Sequence, residues 1–146
     1  MTRTIRLALA AFTMSVGPVG CGPTGPQPQV RLLTDDYSIA ISFDPAPPRA
    51  LEQIEFKVVV RDAKTGEPIE GGEGRIFATN EDRKSVDNGL TPGKELGTYY
   101  TKLMFVNAGP WAMGFQFRRD STQRLQRTND WMQEVRAEAP PGQESK

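Results

Sequence analysis

The chain carries one thiol, Cys21, and no imidazole. A lone cysteine cannot form an internal disulfide, a CxxC redox pair or a Cys/His zinc site. The absence of histidine removes the commonest general base and the commonest metal ligand, so no Ser or Thr hydroxyl has the partner a catalytic triad requires. The remaining chemistry belongs to carboxylates, thioethers and guanidinium groups. Asn80, Glu81, Asp82, Asp87 and Asn88 are oxygen donors of the kind calcium takes, but they lack the alternating spacing of a calcium loop and are interrupted by Arg83 and Lys84. They read as a solvated turn. Glu67, Glu70 and Glu73 recur every third residue among Pro68, Gly71, Gly72 and Gly74, where no helix can align them as an acid/base pair. Met104, Met113 and Met132 are far apart in sequence, and a thioether site from Met104 and Met132 is a weaker reading than packing. Arg118, Arg119, Arg124 and Arg127 form the one basic cluster, offset by Asp120, Asp130 and Glu134. It reads as a solvated edge that discourages strand pairing, with contact to an acidic partner as the functional alternative. No enzyme activity, no metal and no cofactor are expected.

The position of Cys21 gives the thiol a use. Arg3 and Arg6 precede an apolar run from Leu7 to Val16, and no acid occurs before Asp35. A largely apolar run of ten residues suits the core of a signal peptide and is too short to span a bilayer. Gly17-Pro18-Val19-Gly20-Cys21 follows. The whole resembles a bacterial lipoprotein signal, in which small residues precede the lipidated cysteine, although Pro18 stands where such signals usually carry Leu. An ordinary cleaved signal with an incidental Cys21 is the alternative. Acylation of Cys21 implies export and membrane attachment through two or more acyl chains. Removal of residues 1–20 takes away two arginines and no acid, which shifts the formal charge from 0 to −2. That balance gives no reason to expect a nucleic-acid partner.

Residues 21–36 start Cys-Gly-Pro-Thr-Gly-Pro-Gln-Pro-Gln and read as an extended tether. From Gly22 to Asp36 it would reach roughly 45 Å at about 3.1 Å per residue. Residues 139–146, from Ala139-Pro140-Pro141 on, read as a disordered tail. The domain is therefore expected at 37–138.

Its dominant period is two. Ile39, Ile41 and Phe43 alternate with Ser38, Ala40 and Ser42, and Ile54, Phe56, Val58 and Val60 alternate with Glu55, Lys57, Val59 and Arg61. Arg75–Thr79 is a shorter strand, and Asn80–Gly97 reads as one long polar loop. Tyr99, Thr101, Leu103 and Phe105 form one face of a strand, and Trp111, Met113, Phe115 and Phe117 form one face of the next. At the end, Trp131, Gln133 and Val135 fit a strand, whereas Leu125, Met132 and Val135 would line a helix; the strand is preferred because it completes a sheet. About six or seven short strands separated by turn signals predict an all-β, antiparallel sandwich of immunoglobulin type, preceded by the signal-peptide helix and the linker. Its core would include Phe56, Val58, Leu103, Phe105, Trp111 and Phe115.

Three stretches together resemble the YtkA-like/FixH-like family of exported or membrane-anchored domains: Asp44-Pro45-x-Pro47-Pro48 leading to Ile54-x-Phe56-x-Val58; Val60-Arg61-Asp62 through Thr65-Gly66-Glu67-Pro68-Ile69-Glu70-Gly71; and Leu96-Gly97-Thr98-Tyr99-Tyr100-x-x-Leu103-x-Phe105 with Ala108-Gly109-Pro110-Trp111-x-Met113-x-Phe115. The resemblance spans roughly residues 38–118. It implies an immunoglobulin-like domain in envelope metal handling or membrane-complex assembly. Copper is not carried over with it, because this chain lacks the His, Cys and clustered Met that such sites use. The expected function is a membrane-anchored envelope lipoprotein with a non-catalytic binding or assembly domain and an envelope protein partner. A small-ligand or metal-binding accessory and a structural spacer are the alternatives.

Overall fold

A computed structural model describes residues 28–140 and 142. The signal segment and Cys21 lie outside the described residues. Ten strands follow in order: β1 (Gln29–Leu33), β2 (Tyr37–Asp44), β3 (Gln53–Asp62), β4 (Glu73–Asn80), β5 (Ser85–Gly89), β6 (Thr91–Pro92), β7 (Thr98–Met104), β8 (Gly109–Arg118), β9 (Gln126–Arg127) and β10 (Trp131–Val135). They form two antiparallel sheets, β1-β2-β3-β7-β6 and β10-β8-β4-β5, with β9 paired to β8. The sheets pack as the β-sandwich that the alternation predicts.

Each central strand turns one set of alternate residues inward, as the pleat requires. Ile39, Ile41, Ile54, Val58, Val60, Phe105, Trp111, Met113 and Phe115 are almost wholly buried, as are Phe56, Phe117, Tyr37 and Tyr99. Leu103 and Phe43 are also in the core. The aromatic rings meet edge-on, Tyr37 to Phe117 at 5.1 Å and Tyr99 to Phe117 at 5.4 Å, the geometry their quadrupoles favour. Phe105, just after β7, and Trp111 of β8 meet at 5.1 Å across the two sheets.

Two expected boundaries are corrected. The tether does not run to Asp36, because β1 pairs with β2 from Gln29↔Ser42 to Leu33↔Ser38. Val30 and Leu32 pack against the core, and the main-chain ladder supplies what two apolar side chains alone would not. Nor is Asn80–Gly97 one loop: β5 pairs with β4, and β6 pairs with β7. These are edge strands, so their polar outer faces stay in water while Val86 and Leu90 pack inward. With the short β9, these segments raise the strand count from the expected six or seven to ten. The final segment is a strand, with Trp131↔Met113 and Val135↔Gly109.

Register places the connections at two ends. Gln29, the Asp44–Gln53 connection, the Asn80–Ser85 turn, the Phe105–Gly109 turn and Val135 lie at the first end. The Leu33–Tyr37 turn, the Asp62–Glu73 connection, the Gly93–Thr98 turn and the Arg118–Gln126 connection lie at the second. Gly97 is required there. Its φ is +70°, and a Cβ would come within 2.8 Å of the Val60 carbonyl oxygen.

Candidate functional site

The second end gathers most of the unusual polar contacts. Where β2 begins, Thr34 and Tyr37 close a tight turn, with the Tyr37 N–H donating to Thr34 Oγ1 at 3.0 Å. The Tyr37 ring is buried, but its hydroxyl reaches the other sheet. It donates to Gln123 Oε1 at 3.1 Å and accepts the Arg119 N–H at 3.1 Å. Beside it, Asp62 ends β3 and accepts the N–H groups of Lys64 and Thr65, at 2.9 and 3.0 Å. Arg119 Nη2 also lies 3.0 Å from Asp62 Oδ2. The Thr65 and Lys64 N–H groups, followed by the Arg119 guanidinium, hold the Asp62 carboxyl below its ordinary value. Asp120 is lowered too, first by the Thr122 hydroxyl and then by the Thr122 and Gln123 N–H groups. Asp36 accepts from the Gln126 amide.

Two open clefts result. One, of about 210 Å³, is lined by Asp36, Tyr37, Asp62, Lys64, Arg119 and Gln123. The other, of about 440 Å³, lies where the edge of the first sheet meets β9, between Leu33, Thr34, Asp35 and the run Arg124–Arg127 with Asn129. Leu33 and Leu125 on its wall are 71% and 41% exposed, so it offers apolar surface among charges.

The arginines do not act as one patch. Arg118 pairs with Glu73 at 3.1 Å and Arg119 with Asp62 at 3.0 Å. Arg127 pairs with Asp130 at 2.9 Å and lies 4.8 Å over the Phe77 ring. That ring occupies the space a Cβ at Gly114 would need. Arg124 is the member with no carboxylate partner among the described residues, and it lines the larger cleft.

The other candidates disperse. Asn80 Oδ1 caps the Lys84 N–H, Asp82 accepts from Asn107, Asp87 pairs with Arg75, and Asn88 donates to the Lys102 carbonyl. Each has a local structural job. Glu73 pairs with Arg118, while Glu70 lines a shallow surface cleft with Lys94 and Glu95. Among the described residues no three His, Cys, Asp or Glu side chains come together as metal ligands. Met113 is buried, whereas Met104 and Met132 are exposed on different sheets.

Asp36, Tyr37 and Asp62 were not legible as site residues. The turn after Asp62 has a local signal in Asp62-Ala63-Lys64-Thr65-Gly66, but its partner Arg119 lies 57 positions along the chain. Tyr99 is likewise a long-range joint. Its hydroxyl donates to the Ile69 carbonyl at 2.7 Å and accepts the Gly72 N–H at 3.1 Å, and burial raises its pKa above the ordinary tyrosine value.

The fold has solved counterparts. A DUF4426 family protein from Pseudomonas aeruginosa PAO1 shares it with a TM-score of 0.57 and 13% identity, over 76% of this chain and 97% of that one. A copper-bound variant of FetP from uropathogenic Escherichia coli strain F11 shares it with a TM-score of 0.52 and 8% identity, over 81% of this chain and 96% of that one. At these identities the likeness is one of fold. No protein-family model and no curated protein matches the sequence.

Proposed function

We propose that this protein is an exported, lipid-anchored module that binds another envelope protein and catalyses no reaction. The observation that carries the reading is the placement of the larger cleft. Arg124, Leu33 and Leu125 lie at the end of the sandwich opposite Gln29, where the chain leading from Cys21 joins the domain. An anchored domain so arranged holds its mixed apolar and charged cleft away from its own attachment point. Exposed leucines beside Arg124, which has no carboxylate partner among the described residues, suit a protein segment that offers an apolar side chain and an acid. The resemblance to YtkA-like/FixH-like domains supports an assembly role of this kind.

The test is site-specific photo-cross-linking in cells, with p-benzoylphenylalanine in place of Leu125. A discrete protein adduct is expected, and Arg124→Glu in the same chain should remove it. Absence of an adduct, or indifference to Arg124→Glu, would favour a spacer domain. A Cys21→Ser change should abolish acyl labelling and release the protein from membranes.

A metal-binding accessory is the second reading, favoured by the copper-bound FetP variant that shares the fold. The donor set argues against copper, because the described residues contain no His or Cys and their exposed methionines lie on different sheets. Submicromolar binding of Cu(I) or Cu(II) in titration would reverse that preference.

A further inference from the structure

Strand pairing fixes where the chain enters the domain. Gln29 opposes Ser42 near the end of β2, at the end that also carries the Asp44–Gln53 connection and the Phe105–Gly109 turn. Between Cys21 and Gln29 lie only residues 22–28. Even fully extended, the chain from Cys21 to Gln29 reaches roughly 26–29 Å, little more than half the span that a tether to Asp36 would allow.

That same end carries Leu51, Met104 and Val106, which are 53%, 50% and 47% exposed. The Leu51 N–H donates to the Phe105 carbonyl at 2.8 Å, which seats Leu51 beside the residue that Met104 and Val106 flank. Leu51 has a φ of 63°, a left-handed conformation that leucine rarely adopts, yet its side chain gains no place in the core. β3, which begins two residues after Leu51, is two strand spacings, or about 10 Å at roughly 4.8 Å each, from the strand by which the chain arrives. On the neighbouring connections Asp44, Glu52, Glu81 and Asp82 stand against Arg49, Arg83 and Lys84, with Arg136 bonded through its main chain beside them.

We infer, on the lipid-anchored reading above, that this corner rests on the bilayer, with Leu51, Met104 and Val106 at the boundary between head groups and acyl chains. Three half-exposed side chains cannot supply the roughly 1,200 Å² that a stable contact between protein copies buries. A membrane contact needs far less, because the anchor makes it intramolecular and a short tether keeps the effective concentration high.

The experiment uses the full-length protein, purified from membranes and reconstituted in vesicles of phosphatidylethanolamine and phosphatidylglycerol. p-Benzoylphenylalanine replaces Val106 in one sample and Thr65, on an exposed turn at the far end, in another. Severalfold more lipid adduct is expected at position 106 than at 65. Leu51→Asn with Met104→Gln, or about twenty Gly/Ser residues inserted before Pro28, should lower the adduct at 106 while unfolding remains cooperative. Equal labelling at the two positions, or adducts at 106 that are mainly with a second copy or another protein, overturns the inference. Acyl incorporation on the same sample separates the two levels. With Cys21 acylated and no lipid adduct, the docking inference fails alone; without acylation, the anchored reading fails and the inference falls with it.

Discussion

The two ends of the sandwich join the sheets by different means. At the end where the chain arrives, Ala50 N–H donates to the Arg136 carbonyl at 2.8 Å and Arg136 N–H donates to the Pro48 carbonyl at 2.9 Å, so main chain from one sheet's connection is bonded directly to the strand end of the other. At the far end the joints pass through side chains: Tyr37 to Arg119 and Gln123, Asp62 to Arg119, and Asp36 to Gln126. Main-chain bonds do not titrate, and salt does not screen them. Exposed carboxylate–guanidinium contacts do both and are weak individually. One end is thus closed by bonds that neither titrate nor are screened and the other partly by ion pairs that are, and this second end carries the two clefts described above.

The largest effect should come from the closed end. Trp111 is fully buried, and its indole N–H donates to the Asn107 carbonyl at 3.1 Å, which holds the β7–β8 turn. Trp111→Ala is expected to cost about 3–5 kcal/mol in urea unfolding. A cost below about 1.5 kcal/mol would mean that this end is not held by its core plug.

Tyr37→Phe removes the central joint of the other end and should cost about 1–3 kcal/mol. Hydrogen exchange should quicken across residues 119–123 and stay unchanged across 48–51 and 105–109. Equal quickening at both ends would erase the distinction.

Acid should act on the same end. The Asp62 and Asp120 carboxyls have folded pKa values below their ordinary ones, so the stability they contribute is complete above about pH 4 and is lost as pH falls through the folded values. Exchange corrected for its slower intrinsic chemistry in acid should therefore rise first around Asp62 and Arg119 as the pH is lowered from 5 towards 2.5. Asp62→Asn should blunt that rise; a rise centred on Ala50 and Arg136 would contradict it. Tyr99 works in the opposite sense. Its raised pKa means that stability is retained below about pH 10 and lost as pH climbs through the folded value.

The smallest effect is the most discriminating. Leu51→Asn relieves a left-handed leucine and should raise stability by up to about 1 kcal/mol. The same change should weaken the lipid contact at position 106. Stability and membrane contact moving in the same direction would count against Leu51 serving the bilayer.

The interior was legible in the sequence because burial imposes a period of two on Ile39–Phe43, Ile54–Val60 and Trp111–Phe117, each of which is turned inward. The edges were not, since β1, β5 and β6 are held by main-chain ladders that accept Arg31, Asp87 or Thr91 as readily as an apolar residue. The candidate site was legible only as a count of arginines. Which of them already has a carboxylate depends on contacts such as Arg119 with Asp62 and Arg118 with Glu73, which close only when the sheets stack. Cys21 lies outside the described residues, so the expectation of its acylation rests on the local sequence around it and on no contact of the fold.

The central claim is that the ends face different surroundings, and paired cross-linking in one strain background tests it most directly. With p-benzoylphenylalanine in place of Val106 or of Leu125 in the full-length protein in cells, position 106 should yield lipid adducts and position 125 a discrete protein adduct. Exchange of the two adduct classes, or the same class at both positions, would contradict the account.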